Sequence, residues 1–361
     1  MKPTARLLSE FFINNYGAEP GSIRVTPLGR GSHGQGFRAA FMRDGESRRL
    51  IVKTLDRNIG LGHDYPSDRA AVFLLAMETF NNLPGHVKAD DVLARGGGGR
   101  VFSIKGGREY YLVMEEAEGR NYFADLGEMA GKDSLGPKDK ARIRAMVKYL
   151  ARLHSRRKDE TRLYYRKLRD TVGHGECLMG VFDTYRMPGF TNLKEMASIE
   201  RDCVDWRARL KPLAARLCAV HGDFHPGNIL FGNGSRFELL DRSRGEFGEA
   251  ADDLTALTIN YIFFSVRTLG RMEGAYSEAL ELFYGEYLDA TGDADILEVT
   301  APFYAFRGAV VANPLFYPDV TDEARGKLFA FVHGVLKAES FEPAMVNDYI
   351  KAGEKYRKKF L

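Results

Sequence analysis

The chain has 361 residues, 44% of them hydrophobic, which is enough to build two domains or lobes with sizeable cores. Its formal net charge is only +3, and the charged residues, 28% of the total, are mixed along the sequence. This balance argues against a dedicated nucleic-acid-binding protein, since such proteins concentrate positive charge. Cys177, Cys203 and Cys218 are widely spaced, which argues against a disulfide framework or a zinc cluster and favours a reducing, cytoplasmic location.

No apolar run reaches the roughly 18 residues that a membrane span needs. The N-terminus lacks the apolar core of a signal peptide. We therefore expect neither nucleic acid nor a membrane among the partners of this protein, and the sequence leaves the oligomeric state open.

The N-terminal third of the sequence predicts one helix followed by several strands. Residues 4–16 carry apolar side chains on one helical face, and residues 23–28, 35–43 and 49–55 are typical of strands. The segment from Gly29 to Gly36 matches the pattern Gly-x-Gly-x-x-Gly. Because strands are predicted on both sides of it, we expect a hairpin over nucleotide phosphates rather than the turn of a dinucleotide-binding fold.

Gly29, Gly31 and Gly34 are the candidate phosphate-binding residues of this hairpin. Glycines allow backbone N–H groups to approach phosphate oxygens closely. A flexible hairpin without a ligand explains the same pattern equally well, so the glycines alone do not establish a binding site.

Lys53 lies within the apolar, β-branched run of residues 50–55. A lysine in a central strand is costly to bury unless it meets an anion, so we predict that Lys53 binds nucleotide phosphates. The alternative is an edge-strand lysine that points to solvent. The predicted helix 66–82 contains two acids, Asp68 and Glu78, and the sequence does not decide which of them positions Lys53 or whether either is a solvated surface residue.

Strand patterns end near residue 119. Residues 87–94 and 100–104 are predicted strands, and residues 109–119 form an apolar strand that ends in an acidic segment and a glycine. Helical patterns dominate beyond this point. We therefore predict an N-terminal nucleotide-binding lobe at residues 1–115 and a helical lobe with the catalytic loop and acceptor site at residues 116–361. The predicted helices of the second lobe span residues 138–157, 190–217, 252–271, 276–291, 295–312, 321–338 and 344–359.

The most informative stretch runs from Ala219 to Phe231, where two apolar runs flank a polar turn. The turn contains Asp223 and, five residues later, Asn228, with a Pro-Gly pair between them that favours a tight loop. Asp241 follows thirteen residues after Asn228, at the end of another apolar segment. This layout is typical of phosphoryl transfer, in which one aspartate orients an acceptor hydroxyl and takes its proton while an asparagine and a second aspartate hold magnesium.

The sequence His221-Gly-Asp-Phe-His-Pro-Gly-Asn228 resembles the catalytic loop of the aminoglycoside phosphotransferase and choline-kinase branch of the protein-kinase-like fold. Leu239-Leu240-Asp241 resembles the metal-binding strand end of that family, and the resemblance extends over residues 20–260. It implies an α+β, two-lobed protein-kinase-like fold, with an antiparallel-sheet N-terminal lobe, a mostly helical C-terminal lobe and the site in the cleft. It also implies ATP and Mg²⁺ as cofactors, Asp223 as the catalytic residue, and Asn228 and Asp241 as metal ligands.

The resemblance further implies that adenine binds where the lobes join. The backbone of Glu115 and Ala117 would hydrogen-bond the base, and Met114 would lie behind its ring. His221 would order the catalytic loop rather than act as a base, and His154 would pack within the long central helix.

Two departures from the family pattern bear on the acceptor. Gly222 stands where protein kinases have an arginine, and no Ala-Pro-Glu segment follows the metal-binding aspartate, which favours a small molecule over a protein. Arg242 and Arg244 come directly after that aspartate. They could contact phosphates or an anionic substrate, or they could equally pair with Glu246 and Glu249.

We therefore predict an ATP- and magnesium-dependent kinase that phosphorylates a hydroxyl of a small molecule. The alternatives are a protein Ser/Thr kinase and a catalytically silent nucleotide-binding scaffold on the same fold, although the intact set of Lys53, Asp223, Asn228 and Asp241 argues against the scaffold. The sequence neither identifies the acceptor nor decides between ATP and GTP. Antibiotic phosphorylation is the less favoured possibility, because the C-terminal hundred residues are not acid-rich.

Overall fold

The computed structural model describes residues 3–30, 34–57, 62–79, 81, 87–107, 117–186, 189–242 and 244–360. The chain forms two compact units, Met1–Met114 and Glu115–Leu361. The longer strands belong to the first unit and most of the helices to the second. None of the described helices is both long and apolar enough to cross a membrane.

The first unit is built on an antiparallel sheet with the strand order β1-β2-β3. Its strands are β1 (Arg24–Arg30), β2 (Gly34–Arg43) and β3 (Glu46–Leu55). The β2–β3 turn is Asp44-Gly45, with positive φ at both residues, which is the backbone that a two-residue hairpin requires. Within the described residues β3 is therefore an edge strand.

A helix covers one face of this sheet. Helix α1 (Ala5–Tyr16) begins where the Thr4 side chain accepts a hydrogen bond from the Leu7 N–H at 3.2 Å, and it ends at Gly17 in the left-handed conformation. Its buried Phe12 ring meets the ring of Phe41 from β2 edge to face, at 5.4 Å between centroids. The remaining described elements of this unit are α2 (Pro66–Thr79), β4 (Leu93–Arg95) and β5 (Val101–Ser103).

The second unit is a helical body around one long buried helix. Helix α8 (Ala250–Leu269) buries most of its side chains on all sides, as expected of a helix surrounded by others. It contacts α9, α11 and α12. The helices of this unit are α3 (Tyr122–Met129), α4 (Pro137–His154), α5 (Thr161–Gly173), α6 (Leu178–Asp183), α7 (Leu193–Leu210), α8, α9 (Gly274–Thr291), α10 (Ile296–Val299), α11 (Ala301–Val311), α12 (Asp322–Leu336) and α13 (Val346–Arg357).

Short strands frame the loop that carries Asp223. Strands β6 (Arg120–Asn121), β8 (Ile229–Phe231) and β9 (Phe237–Leu239) form one sheet, and β7 (Cys218–Ala219) pairs with β10 (Phe247–Gly248). The loop therefore starts from one small sheet and enters another, which fixes both of its ends.

The predicted fold class is confirmed: antiparallel strands dominate the N-terminal part and helices the remainder. Helices α3, α5 and α6 were not predicted, and two predicted elements differ in the structure. Residues 87–92 are not a strand, since β4 begins only at Leu93, and the predicted helix 295–312 is divided into α10 and α11 because Pro302 lies in the first turn of α11. The predicted strand within residues 109–119 falls largely outside the described residues.

Candidate active site

The backbone between β7 and β8 has a local geometry that only glycine fits well. Gly222 has φ +85°, and a Cβ atom there would lie 3.3 Å from the Cβ of Arg244. The glycine predicted to separate a small-molecule kinase from a protein kinase is thus also a conformational requirement of this loop. Farther along, Pro226–Asn228 form a single 3₁₀ turn that leads directly into β8.

The start of the loop is held by the carboxylate of Asp253, in the first turn of α8. Its two oxygens accept hydrogen bonds from the backbone N–H groups of His221 and Gly222, each at 2.7 Å. His154 Nε2 lies 3.1 Å from the same carboxylate, and His154 Nδ1 lies 2.8 Å from the hydroxyl of Tyr287. We call Asp253, His154 and Tyr287 the loop anchor.

The loop anchor is fully buried, and its charge is compensated. Burial by itself raises the pKa of Asp253, but the hydrogen bonds from His154 and from the His221 backbone outweigh it and hold the pKa below its ordinary value. His221 Nδ1 in turn lies 3.2 Å from the backbone N–H of Asp223 and accepts its hydrogen bond. In this geometry His221 orders the loop and His154 packs in the helical core.

Two arginines from distant parts of the chain surround Asp223. Its Oδ1 atom accepts a hydrogen bond from Arg307 Nη1 at 2.5 Å, and Arg244 Nη1 lies 3.5 Å from the same oxygen. Arg307 Nη2 donates to Asp252 Oδ1 at 2.6 Å and to the carbonyl oxygen of Gly222 at 3.1 Å. We call Asp223, Asp252, Arg244 and Arg307 the arginine cluster.

The arginine cluster favours an ionised Asp223. Burial by itself raises the pKa of this carboxyl, but Arg307 and Arg244 outweigh it and hold the pKa below its ordinary value. Burial opposes the charge of Arg307, yet Asp252 and Asp223 raise its pKa, so it remains protonated. Burial, with help from both arginines, lowers the pKa of His225, which favours a neutral imidazole near neutral pH.

The second carboxylate oxygen of Asp223, Oδ2, is left for a substrate. His225 Nε2 lies 3.9 Å from it, which is too far for a hydrogen bond. No described residue donates a hydrogen bond to Oδ2. A hydroxyl that approaches this oxygen therefore meets an unshared, ionised acceptor, which is what proton removal from an alcohol requires.

Asn228 and Asp241 come together through the pairing of β8 and β9. Ile229 pairs with Leu239, and the Leu240 N–H donates to the Asn228 carbonyl oxygen at 2.9 Å. Asp241 follows directly, exposed and with φ +54°, a left-handed backbone that aspartate tolerates better than most residues.

The donor set of these two residues fits magnesium. The Asn228 side-chain N–H donates to the Asp223 carbonyl oxygen at 3.0 Å, which leaves the amide oxygen as the free ligand atom. With the Asp241 carboxylate it offers hard oxygen donors, which Mg²⁺ prefers and which nucleotide phosphates and water complete. In the described part of the chain, no group of three or more His, Cys, Asp or Glu side chains is placed to hold a metal alone.

The two arginines after Asp241 do not pair with the nearby glutamates in the described residues. Arg242 donates to the backbone carbonyl oxygens of Val220, at 2.8 Å, and of Glu246, at 3.1 Å. The Glu249 carboxylate is bound by a guanidinium and a hydroxyl from elsewhere in the unit, those of Arg216 and Tyr164. Of the alternatives that the sequence left open, pairing with Glu246 or Glu249 is therefore wrong for the described side chains, and Arg244 belongs to the arginine cluster.

The predicted phosphate-binding glycines lie in the first unit. Gly29 is in β1, Gly34 opens β2, and the pairing of Arg30 with Gln35 confirms an antiparallel hairpin between two strands. A Cβ at Gly34 would lie 1.9 Å from the carbonyl oxygen of Thr54. Close packing on β3 thus requires this glycine whether or not phosphate binds.

Lys53 is paired opposite Gly36 and is exposed, on an edge strand of the described sheet. Lys53 is therefore not buried; whether β3 is a central strand and whether Lys53 binds phosphates stay predictions, since the predicted strand 109–119 lies largely outside the described residues. Asp68 accepts a hydrogen bond from the Tyr65 N–H at 2.7 Å and so stabilises the start of α2. Within the described residues neither Asp68 nor Glu78 pairs with Lys53.

The remaining predicted nucleotide contacts are only partly described. Gly31, Met114 and Glu115 lie outside the described residues, and Ala117 is half-buried at the beginning of the next described range. Their assignment stays a prediction.

Sequence reasoning missed Arg307, which follows Asp223 by 84 residues in the chain. A signal was present: Arg307 is the one charged residue of α11, Ala301–Val311. A charge within an apolar helix is buried only with a partner, but the sequence could not name that partner.

Comparisons with known proteins agree with the resemblance in the catalytic loop. A sequence model of the APH phosphotransferase enzyme family matches residues 30–241. No curated protein matches the chain significantly in sequence.

Solved structures with a similar arrangement are distant in sequence. They include a choline kinase from Cryptosporidium parvum (12% identity, 98% of this chain and 96% of the other covered, TM-score 0.33) and an ethanolamine kinase from Plasmodium vivax (10%, 92% and 81%, TM-score 0.36). A type I macrolide 2'-phosphotransferase shares 18% identity, with 94% and 99% covered and a TM-score of 0.32. At these values the structural similarities do not indicate a substrate. The family match spans more than half of the sequence, and this chain belongs to the APH phosphotransferase enzyme family.

Proposed function

We propose that this protein is an ATP- and magnesium-dependent kinase that phosphorylates a hydroxyl of a small molecule. The observation that carries the proposal is the geometry around Asp223. One carboxylate oxygen is held by Arg307, the other makes no hydrogen bond within the described chain, and Asn228 is tied to the same loop by its amide N–H.

Asp223 acts as the catalytic residue. The acceptor hydroxyl donates its hydrogen bond to Oδ2, its oxygen forms a bond to the γ-phosphorus, and the bond from that phosphorus to the bridging oxygen breaks, so that the electron pair leaves with ADP. The proton of the hydroxyl passes to Asp223. Magnesium, when bound, offsets the phosphate charge, and Asn228 and Asp241 would hold it.

The first unit supplies the nucleotide contacts in this proposal. The backbone at Gly29, Gly31 and Gly34 binds phosphate oxygens, and Lys53 offsets their charge. The backbone of residues 115 and 117 binds adenine, with Met114 behind the ring. Lys53 is exposed, so its ammonium group can reach a bound nucleotide, and this supports the role proposed for it.

A small-molecule acceptor is favoured over a protein by the loop itself. An arginine at position 222, as found in protein kinases, would be strained at φ +85°, and its Cβ would lie 3.3 Å from the Cβ of Arg244. We place the enzyme in the cytoplasm, and its three buried free cysteines support a reducing compartment.

The test combines nucleotide binding with turnover. Calorimetry should show magnesium-dependent binding of the non-hydrolysable ATP analogue AMP-PNP, and a screen of hydroxylated metabolites should show ADP release by the wild-type protein but not by Asp223→Asn. Absence of any nucleotide binding would contradict the kinase proposal. Binding of AMP-PNP without phosphorylation of any acceptor, including proteins, would favour the silent scaffold.

A further inference from the structure

Arg244 is the least neutralised member of the arginine cluster. Arg307 is hydrogen-bonded to two carboxylates, whereas Arg244 approaches only Asp223 Oδ1, at 3.5 Å and without a hydrogen bond. The Nε and Nη1 atoms of Arg244 are buried and have no hydrogen-bond acceptor among the described residues. A buried guanidinium N–H without an acceptor is costly, so a ligand that brings an anionic oxygen to this point gains affinity.

The surroundings of Arg244 add positive charge. The ammonium group of Lys167 donates a hydrogen bond to the Arg244 backbone carbonyl oxygen. Among the described acids, Asp223 is the one within ion-pair distance of the Arg244 guanidinium.

The two guanidinium groups are held in place by an aromatic ring. The Cζ atoms of Arg244 and Arg307 lie 5.1 and 4.5 Å from the centroid of the Phe306 ring. Such cation–π contacts orient the guanidinium groups. Arg244 is thus oriented beside Asp223, and its side chain is 22% exposed although its Nε and Nη1 atoms are buried, so a ligand would reach the guanidinium from its exposed part.

We propose that the acceptor is a hydroxylated small molecule that also carries a phosphate or carboxylate group, and that Arg244 binds this group while Asp223 takes the hydroxyl proton. The inference rests on the proposed function and names the substrate class of the same site. Within the arginine cluster Arg307 is paired with Asp223 and Asp252, so Arg244 is the cation whose charge an anionic group of the acceptor would offset. A neutral acceptor would not offset the charge of Arg244.

The competing role for Arg244 is contact with the transferred γ-phosphoryl group. The two roles can be distinguished when a bound nucleotide analogue already occupies the γ-phosphate position. In protein saturated with magnesium and AMP-PNP, the γ position is occupied, and any further anion must bind elsewhere.

The experiment is a calorimetric titration of inorganic phosphate, and in a second arm of acetate, into the magnesium–AMP-PNP complex. Three proteins are compared: wild type, Arg244→Gln, and the matched control Arg236→Gln, which removes an exposed arginine between β8 and β9. We expect phosphate to bind the wild type and the control alike and to bind Arg244→Gln about tenfold or more weakly, because charge-assisted hydrogen bonds are lost. Acetate binding with the same dependence would extend the acceptor class to carboxylates, and phosphate binding alone would restrict it to phosphorylated acceptors.

Other outcomes overturn the inference in distinguishable ways. If neither anion binds the AMP-PNP complex, or if Arg244→Gln binds phosphate as tightly as the wild type, Arg244 is not an acceptor-binding residue. If phosphate binds the magnesium–ADP complex in an Arg244-dependent way but not the AMP-PNP complex, Arg244 serves the transferred group instead. If AMP-PNP itself does not bind, the proposed function fails, and this inference fails with it.

Discussion

The loop anchor and the arginine cluster hold the same loop through neighbouring aspartates of α8, but they leave their polar atoms in different states. In the loop anchor, both oxygens of Asp253 accept backbone hydrogen bonds and His154 supplies a further contact. In the arginine cluster, Asp223 Oδ2, two nitrogen atoms of Arg244 and the Nε atom of Arg307 have no hydrogen-bond partner within the described chain. The polar atoms of the first region are paired with one another, whereas the second region has unpartnered polar atoms within the described chain.

Two adjacent residues of α8 thus hold different parts of the same loop, Asp253 directly and Asp252 through Arg307. Asp252 and Asp253 are adjacent in α8, so their side chains point about 100° apart around the helix axis. Asp253 faces the loop backbone, and Asp252 shares Arg307 with Asp223. The position of the Asp223 carboxylate is thus fixed through its neighbours, while its Oδ2 atom accepts no hydrogen bond within the described residues.

The largest effect is expected from Asp223→Asn. This change removes the proposed proton acceptor from the arginine cluster and keeps the shape of the side chain. We expect the rate of phosphotransfer to fall by about 10²- to 10⁴-fold, the usual contribution of general base catalysis. The measurement is steady-state ADP release with an acceptor identified in the metabolite screen. A rate close to that of the wild type would show that Asp223 is not the base.

Replacement of Arg307 by methionine removes the guanidinium group that joins Asp223 to Asp252 in the arginine cluster. Burial already raises the pKa of Asp252, and without Arg307 this carboxyl either takes up a proton or stays charged without its partner, as does Asp223. Losing one partner of a buried ion pair costs roughly 3–5 kcal/mol. We expect the free energy of unfolding in urea to fall by an amount near the lower end of that range, because both carboxylates retain some exposure. Adding Asp252→Asn to this variant should recover part of the loss; a double variant less stable than the single one would contradict the role assigned to the pair.

The substitution Asp253→Asn tests the loop anchor. An asparagine side chain has one acceptor oxygen, so at least one of the backbone N–H groups of His221 and Gly222 loses a charge-assisted hydrogen bond. We expect a loss of about 1.5–3 kcal/mol in unfolding free energy. Because the loop carries Asp223, the turnover number should fall with it, while AMP-PNP binding should change little.

We also expect Asp253→Asn to change the pH dependence of the unfolding free energy. The pKa of Asp253 is lower in the folded protein than its ordinary value, so the unfolded chain binds this proton more readily. The carboxylate therefore contributes stability above a pH of about 3.9, and this contribution is lost as the pH falls from there through the folded pKa. Urea unfolding at a series of acidic pH values should show a weaker dependence in Asp253→Asn; an unchanged slope would contradict the assigned shift.

Local features of the site could be predicted from sequence, and long-range ones could not. Asp223, Asn228 and Asp241 lie within one loop and the hairpin after it, so their spacing and the Pro-Gly turn suffice to associate them. Arg307 joins them only through the packing of α11, and the sequence gives its burial but not its partner. The exposure of Lys53, which the sequence left as an alternative, could not be decided from its apolar neighbours because it depends on tertiary packing.

The smallest effect is expected from Gly222→Ala. Gly222 donates its backbone N–H to Asp253 of the loop anchor and lies against Arg244 of the arginine cluster. An alanine at φ +85° is strained by about 1–2 kcal/mol, and its Cβ would lie 3.3 Å from that of Arg244. We expect a loss of stability of this size together with weaker phosphate binding to the AMP-PNP complex, because Arg244 must move. Gly285→Ala is the matched control: it lies in α9 with open space around its Cβ, and removing a helical glycine should leave stability unchanged or raise it by up to about 1 kcal/mol. If both variants lost the same stability and neither changed phosphate binding, contact between Gly222 and Arg244 would not couple the loop backbone to the arginine cluster.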